Sequence, residues 1–390
     1  YLCFSASALL DRLFDMELIN YITPTIFGVG AISSIGNELR RLDISSPLII
    51  TDKGIVAAGI LDQLTSHLAN ISFTVCDSAD ENPTEANLDE ALIQLKRNSH
   101  DGLVAIGGGS PMDLAKAVAL IASQGGRFSD YDVKIGGSEH IRRVLPHIAI
   151  PTAAGTGAEI GRACVLTTHD GVKRVAVSLE MVAHSIICDP ALTLSLPASL
   201  TAATGIDALS HGIEAFLSPR YNPPADAIAL DCIARIARNI ETATSDGHDI
   251  QARTEMLMGA LQGGMVLQKG LGSAHAMATP LGEFHLHHGT LIAVLLPHVL
   301  SFNASHITDK KASLNLALGI GKNDNPADWL SALITNLGLP TSLSQLGVDD
   351  ASFEQIARRA EADHLSATNP RPASAADYLV LLQAAFRGKP

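Results

Sequence analysis

Asp207 and His211 stand four residues apart in Thr204-Gly-Ile-Asp-Ala-Leu-Ser-His-Gly-Ile-Glu-Ala-Phe216, a helical pattern. On a helix that spacing stacks the two side chains on one face, one turn apart, where a carboxylate and an imidazole can share a cation. Downstream, Gly272-Ser-Ala-His275 and His287-His288-Gly289 supply more imidazoles. His288 follows His275 by thirteen positions, enough for two neighbouring helices, or a helix and the loop behind it, to converge. Asp207, His211, His275 and His288 then form a complete nitrogen and oxygen donor set. It suits Fe(II) or Zn(II), and lacks the soft sulfur that selects copper(I) or an iron-sulfur cluster. With 15 histidines in the chain, some clustering arises by chance. Singly each histidine reads as structural or solvated; the set reads as a metal site.

A second kind of chemistry lies upstream. The apolar run Gly102 to Ile106 leads directly into Gly107-Gly-Gly-Ser-Pro-Met-Asp-Leu-Ala-Lys116, which includes Gly108, Gly109, Ser110 and Asp113. Glycines let the backbone approach a pyrophosphate, and Ser110-Pro111 can open a helix whose first amides point at an anion. The stretch is neither a G-x-G-x-x-G fingerprint nor a P-loop, so a tight strand-to-helix turn is the competing reading. Pro151-Thr-Ala-Ala-Gly-Thr-Gly157, with Thr152 and Thr156, follows another short strand and again offers hydroxyls and exposed amides. Asp52 closes the strand in Ile49-Ile-Thr-Asp-Lys-Gly54. A carboxylate there can bind a ribose diol and repel a 2′-phosphate, favouring NAD over NADP, or can simply be a turn aspartate.

These residues need a scaffold. Residues 47–51, 71–76, 102–106 and 148–150 read as strands, with helical stretches such as 87–96 and 112–122 between them. The alternation implies a mostly parallel sheet covered by helices. After about Pro197 the texture turns helical, as in 225–240 and 253–266, with loops at 218–224, 323–326 and 369–372. The expected architecture is an α/β N-terminal domain with a mostly parallel, Rossmann-like sheet and an all-α C-terminal domain. Expected bounds are 1–15 for an N-terminal extension, 16–197 for the dinucleotide-binding domain and 198–390 for the helical metal-binding and substrate domain. Residues 1–15 precede the first methionine, Met16, and read as an upstream extension, or alternatively as an amphipathic docking helix.

Composition narrows the partners. Apolar residues at 47% and aromatics at 4% favour packed aliphatic layers over disorder or base-stacking platforms. A net charge of −13 repels polyphosphate backbones and anionic membranes, so neither nucleic acid nor membrane is expected as a partner. Five scattered cysteines without a C-x-x-C pair argue against a disulfide framework or thiolate zinc site and suit a reducing cytoplasm.

Together these segments resemble the iron-containing (group III) alcohol dehydrogenase family, from Thr23-Pro-Thr-Ile-Phe-Gly28 to Asn369-Pro-Arg371. The matching motifs, in order, are Gly107 to Asp113, Pro151 to Glu159, Cys188-Asp-Pro-Ala-Leu-Thr193, Leu200 to His211 and Leu295-Leu-Pro-His-Val299. The resemblance implies the dehydroquinate synthase-like fold of that family and hydride transfer between NAD(H) and a small alcohol, aldehyde or ketone bound to a divalent metal. It implies Asp207, His211, His275 and His288 as ligands, and NAD contacts at Asp52, Asn82, Gly109, Ser110, Thr152, Lys173 and Leu192. It also implies a homodimer or larger homo-oligomer.

Three departures accompany the match. Where the family often has His-x-x-Ala-His, this chain has His275-Ala-Met-Ala-Thr279, so an imidazole relay has no counterpart at position 279. The stretch to the last ligand is one residue shorter than in many members, and the choice of His288 over His287 rests on Gly289. Gly161 and Ala163 replace a hydroxyl and an aromatic residue, implying a roomier nicotinamide pocket. Proton release is open to Thr279, His285, water or the ribose hydroxyls. Competing readings are a dehydroquinate synthase-like lyase, a metal-independent maleylacetate-type reductase and an inactive NAD-binding protein. The lyase would need a basic pocket, yet Lys269 is the only Lys or Arg between Gly263 and His298.

Overall fold

The computed structural model describes residues 23–284 and 286–388. The 1–15 extension, the start of the domain begun at 16 and the proton-handling candidate His285 lie outside the described residues. Eight strands are present: β1 (Thr25–Phe27), β2 (Pro47–Ile50), β3 (Thr74–Cys76), β4 (Gly102–Gly107), β5 (His147–Pro151), β6 (Ala163–Thr167), β7 (Lys173–Val177) and β8 (Ser185–Cys188). Six of them form a sheet in the order β1-β8-β5-β4-β2-β3, parallel throughout. Every residue of β2, β4, β5 and β8 is buried, as expected of parallel strands covered on both faces.

The interleaved helices are α1 (Ile35–Arg41), α2 (Lys53–Ala57), α3 (Ile60–Thr65), α4 (Glu85–Arg97) and α5 (Gly109–Gln124). Helix α4 begins in a capping box, with the Thr84 hydroxyl accepting from the Asn87 amide, and α5 packs against β4 and β5. One core joins Ile35, Leu39 and Leu64 of the helices to Ile49, Val104, Ile106, Ile148 and Ile150 of the strands.

The four strands expected from sequence are all present, within three residues at each end. Four more were not read there. Strands β1 and β8 are short and pair with each other; β6 and β7 form an antiparallel hairpin whose turn contains Asp170 and Gly171, the glycine at φ 76°.

Beyond Cys188 the described residues contain helices and no strand: α6 (Ala198–Leu217), α7 (Pro223–Ser245), α8 (Ile250–Val266), α9 (Ser273–Leu281), α10 (His288–Asn303), α11 (Lys311–Leu318), α12 (Pro326–Asn336), α13 (Phe353–Glu361) and α14 (Ala375–Arg387). Among the described residues no helix is long and apolar enough to cross a membrane.

Two compact units result: residues 23–201 with 242–264, and residues 202–241 with those from 265 onward. Residues 242–264 group with the sheet and not with the other helices. Arg253 of α8 is buried and donates to the Thr201 hydroxyl at 2.7 Å and to the Leu196 and Gly247 carbonyls at 3.1 and 2.9 Å. Near the end of α8, a Cβ on Gly157 would lie 2.5 Å from the Gly264 Cα, and Gly157 has φ 63°. Both positions therefore need glycine.

Candidate active site

Helix α6 is apolar on nearly every face, so its polar residues stand out. Asp207, His211 and Glu214 follow at i, i+4 and i+7 and share one face, and all three are buried. Two cations meet the C-terminal end of this helix. Lys269 Nζ donates to the Phe216 carbonyl at 3.2 Å and pairs with Asp226, while Lys310 Nζ donates to Phe216 at 2.7 Å and Ser218 at 3.0 Å. Positive charge there complements the helix dipole. Lys269 is thus buried and committed, so it supplies no anion pocket for the lyase alternative.

His275 lies in the first turn of α9 and His288 opens α10. Asp207 Oδ1 lies 3.7 Å from His211 Nε2, 3.7 Å from His275 Nε2 and 3.6 Å from His288 Nε2. One ligand atom from each of Asp207, His275 and His288 lies within 4.8 Å of the others. The His211 ring stacks on His275, with centroids 5.0 Å apart at 27°. His287 takes another course: it caps α10, and its Nδ1 lies 3.4 Å from the Thr290 hydroxyl. The four predicted residues therefore come together, with His288 and not His287 as the fourth.

Separations of 3.6–3.7 Å are too long for hydrogen bonds, and Asp207 Oδ1 and His275 Nε2 are buried with no hydrogen-bond partner. Buried polar atoms without a partner are rare, and two facing one point fit a cation site. Nitrogen and carboxylate donors at that point fit Fe(II) or Zn(II).

The electrostatics separate the two buried imidazoles. Burial pushes the His211 pKa down to about 4 despite the Asp207 charge, so this ring stays neutral with a lone pair available. Burial acts the same way on His275, but there Glu214 and Asp207 together outweigh it and raise the pKa to about 9. Asp207 is held far below the usual carboxylate range; burial opposes this, and the surrounding His211, His288 and His275 prevail.

Glu214 was not identified from sequence, although its i+7 spacing from Asp207 was a visible signal. Its Oε2 lies 2.5 Å from His275 Nδ1, and its Oε1 accepts the Ala274 amide at 2.9 Å. Thr279, one turn after His275, is exposed and donates its hydroxyl to the His275 carbonyl at 3.0 Å.

Gly289 explains how His288 reaches the group. A Cβ there would collide with the Ala203 carbonyl oxygen, so α10 meets α6 backbone to backbone beside His288. Gly289→Ala is expected to push the two helices apart, costing roughly 1–3 kcal/mol of stability and weakening any bound metal. Thermal melts and metal content check this; wild-type values for both would refute it.

The nucleotide candidates occupy the sheet unit. Gly107 pairs with Pro151 at the carboxyl ends of β4 and β5, and the Thr152 amide donates to the Gly107 carbonyl at 3.0 Å. Gly107 has φ 146°, and a Cβ on it would approach Pro111 Cγ to 2.7 Å and Asp52 Oδ2 to 3.3 Å. Asp52 caps α2 through the Ile55 amide at 2.9 Å. A Cβ on Gly109 would lie 3.2 Å from Thr156 Oγ1, whereas Gly108 borders open space. Asp52, Gly108, Gly109, Thr152 and Thr156 thus gather where β2, β4 and β5 end. The chain order reverses between β2 and β4, the place where open parallel sheets bind ligands.

The remaining candidates have other immediate partners. Ser110 donates to the Glu81 carbonyl at 2.5 Å, and Lys173 Nζ donates to Asn82 Oδ1 at 3.0 Å. Asp113 accepts the Val165 amide at 3.1 Å; burial, opposed by Lys116, raises its pKa to about 6. Leu192 is part of the apolar core. Lys116, quoted in the glycine-rich motif but given no role, is buried and donates to the carbonyls of Ala158, Gly161 and Ala163 at 2.7, 2.6 and 3.0 Å. It braces the segment after Thr156.

A parallel nucleotide-type sheet and an Asp-His cluster on helices fit a metal-dependent dehydrogenase. The chain matches the iron-containing alcohol dehydrogenase model over residues 23–190 and the C-terminal model of the Fe-containing alcohol dehydrogenase family over 201–386. It belongs to the iron-containing alcohol dehydrogenase family. It is 43% identical to 4-hydroxybutyrate dehydrogenase of Cupriavidus necator, covering 94% of this chain and 99% of that protein. It is 36% identical to 1,3-propanediol dehydrogenase of Citrobacter freundii, covering 95% and 99%. The crystal structure of a 1,3-propanediol oxidoreductase superposes with a TM-score of 0.89 at 33% identity, covering 95% of this chain and all of the other. The chain is an NAD-linked oxidoreductase of alcohols and aldehydes that uses a metal.

Proposed function

We propose that Asp207, His211, His275 and His288 hold one divalent ion, iron(II) with zinc(II) as the alternative. We assign the NAD(H) seat to Asp52, Asn82, Gly108, Gly109, Ser110, Asp113, Thr152, Thr156, Lys173 and Leu192, which contact the dinucleotide or brace what does. The sheet part, 16–197, then serves the cofactor, and the helical part, 198–390, serves metal and substrate. The names of the relatives favour a short primary alcohol with a second polar group at its far end, such as a hydroxy acid or a diol. The convergence of three imidazole nitrogens on the unpartnered Oδ1 of Asp207 carries this reading.

A divalent ion at this point supplies Lewis acidity, which lowers the pKa of an alcohol and polarises a carbonyl in the reverse direction, typically contributing several kcal/mol. A bound nicotinamide would supply the hydride acceptor or donor. The protein's own groups bind and orient. Amides at the start of α5 would hold a pyrophosphate, and Asp52 would accept from a ribose diol and repel a 2′-phosphate. Thr279 spends its one proton on the His275 carbonyl, so toward any other group it is an acceptor only. Proton release is then left to water, the ribose hydroxyls or His285.

The buried thiols Cys76, Cys164 and Cys188, outside any disulfide, support a reducing cytoplasmic setting. We take the working form to be a homodimer or larger homo-oligomer, as the family resemblance suggests. Anaerobic purification with metal analysis, followed by NADH formation from ethanol, 1,3-propanediol and 4-hydroxybutyrate, tests the reading. About one equivalent of iron or zinc per chain is expected, with turnover lost on chelation. Full turnover in rigorously metal-free protein would reject it.

A further inference from the structure

We infer that Glu214 is a positioning residue that sets the tautomer and aim of His275 and supplies the second negative charge of the metal centre. The inference rests on the metal reading above and goes beyond it, because Glu214 is not among the proposed ligands.

The geometry is specific. Helix α9 starts at Gly272, whose missing side chain leaves the first amides without a local cap. Residues distant in sequence provide it: Asn369 Oδ1 accepts the Ser273 amide at 3.2 Å, and Glu214 Oε1 accepts the Ala274 amide at 2.9 Å. Asn369 is in turn fixed by a reciprocal pair with Asn303, at 3.0 and 2.8 Å. Gly272 has to be glycine for reasons of space: a Cβ would lie 2.8 Å from Glu214 Oε1 and 2.9 Å from Asn369 Oδ1.

The second Glu214 oxygen, Oε2, takes His275 Nδ1 at 2.5 Å. With Nδ1 keeping its proton toward Glu214, Nε2 is the nitrogen that gives up the ring's second proton and offers a lone pair to an ion, and Nε2 is the atom turned to Asp207. One carboxylate grips both the backbone and the ring of the same helical turn, so the ring cannot rotate without breaking a buried bond. His211 has no such holder, since its Nδ1 is buried without a hydrogen-bond partner. His275 is therefore the more rigidly aimed of the two buried imidazoles. The charges also balance: Asp207 in reach of the ion and Glu214 one imidazole behind it match the two positive charges of a divalent metal, in a site where burial makes imbalance costly.

Glu214→Gln isolates the effect. Glutamine keeps the shape but has one oxygen for two donors, and it removes the charge. Cobalt(II) titration of the ion-free protein, wild type and variant, gives dissociation constants by chelator competition, together with the visible ligand-field spectrum and the paramagnetically shifted Nδ1–H proton resonances. The variant is expected to bind cobalt about 10- to 100-fold more weakly, with an altered spectrum and loss of the exchange-protected His275 Nδ1–H signal. If it melts at a lower temperature yet binds cobalt with wild-type affinity and spectrum, Glu214 only braces the helix and the inference is overturned. If the wild type itself binds no cobalt, the metal reading fails and this inference falls with it, an outcome that the wild-type arm alone identifies.

Discussion

His275→Ala is expected to remove metal and turnover together while leaving NADH affinity unchanged. His275 is buried, supplies one of the three nitrogens around Asp207 Oδ1 and stacks on His211, so truncation takes away a donor and the wall behind a second one. A Lewis acid worth several kcal/mol corresponds to a fall in turnover of about 10³-fold or more, since each 1.36 kcal/mol is a factor of ten. The glycine-rich turn belongs to the other compact unit, so the cofactor seat keeps its own structure. Metal analysis, steady-state NADH formation and NADH fluorescence titration measure the three quantities separately. His287→Ala is the control, because His287 bonds to Thr290 and stands apart from the cluster. A His275→Ala protein that loses metal but keeps wild-type turnover would sink the metal mechanism, and one that loses NADH binding would sink the division of labour.

The second large effect is a pH dependence of metal uptake. In the ion-free protein His275 has its pKa raised to about 9, so below that pH the ring carries an extra proton that an incoming ion must displace. Affinity is expected to rise about tenfold per pH unit from near neutrality to about pH 9 and then level off. His211, with its pKa pushed down to about 4, is already neutral in this window and adds no slope. Stability shifts in the opposite sense. A histidine whose folded pKa lies above its ordinary 6.5 stabilises the ion-free fold fully below 6.5, and that contribution is lost as pH rises through about 9. Ion-free protein should therefore melt earlier, and the gain on adding metal should grow, between these limits. Chelator competition and calorimetry across this range provide the test; a flat affinity profile would contradict it.

The clearest sequence signals were those with a period. The buried runs of β2, β4 and β5 were visible because they alternate with helical segments, and the long apolar helices because their patterns extend over enough residues to exclude alternatives. Strands β1 and β8 lie outside that alternation and pair with each other in the sheet. The β6–β7 hairpin was legible in principle: Asp170-Gly171 between alternating segments is a turn signal, and a mostly parallel sheet leaves room for such a pair. At the site, Asp207 and His211 declare themselves by a four-residue spacing within one helix. His275 and His288 could be chosen only as members of a set, since no local rule brings their helices to α6. Glu214 escaped because a glutamate on a helix is ordinarily a solvated residue, and only its burial in the structure reveals the bond to His275.

The return of α8 to the sheet unit has a consequence for how the protein is made. The partner for Gly157 is Gly264, and the guanidinium that ties down Leu196 and Thr201 comes from Arg253. As the chain leaves the ribosome, forty residues of the neighbouring unit, 202–241, emerge before these two arrive. The sheet unit therefore cannot finish folding during the synthesis of its first 179 described residues, 23–201, and stays incomplete until the stretch 202–241 of the other unit has been translated.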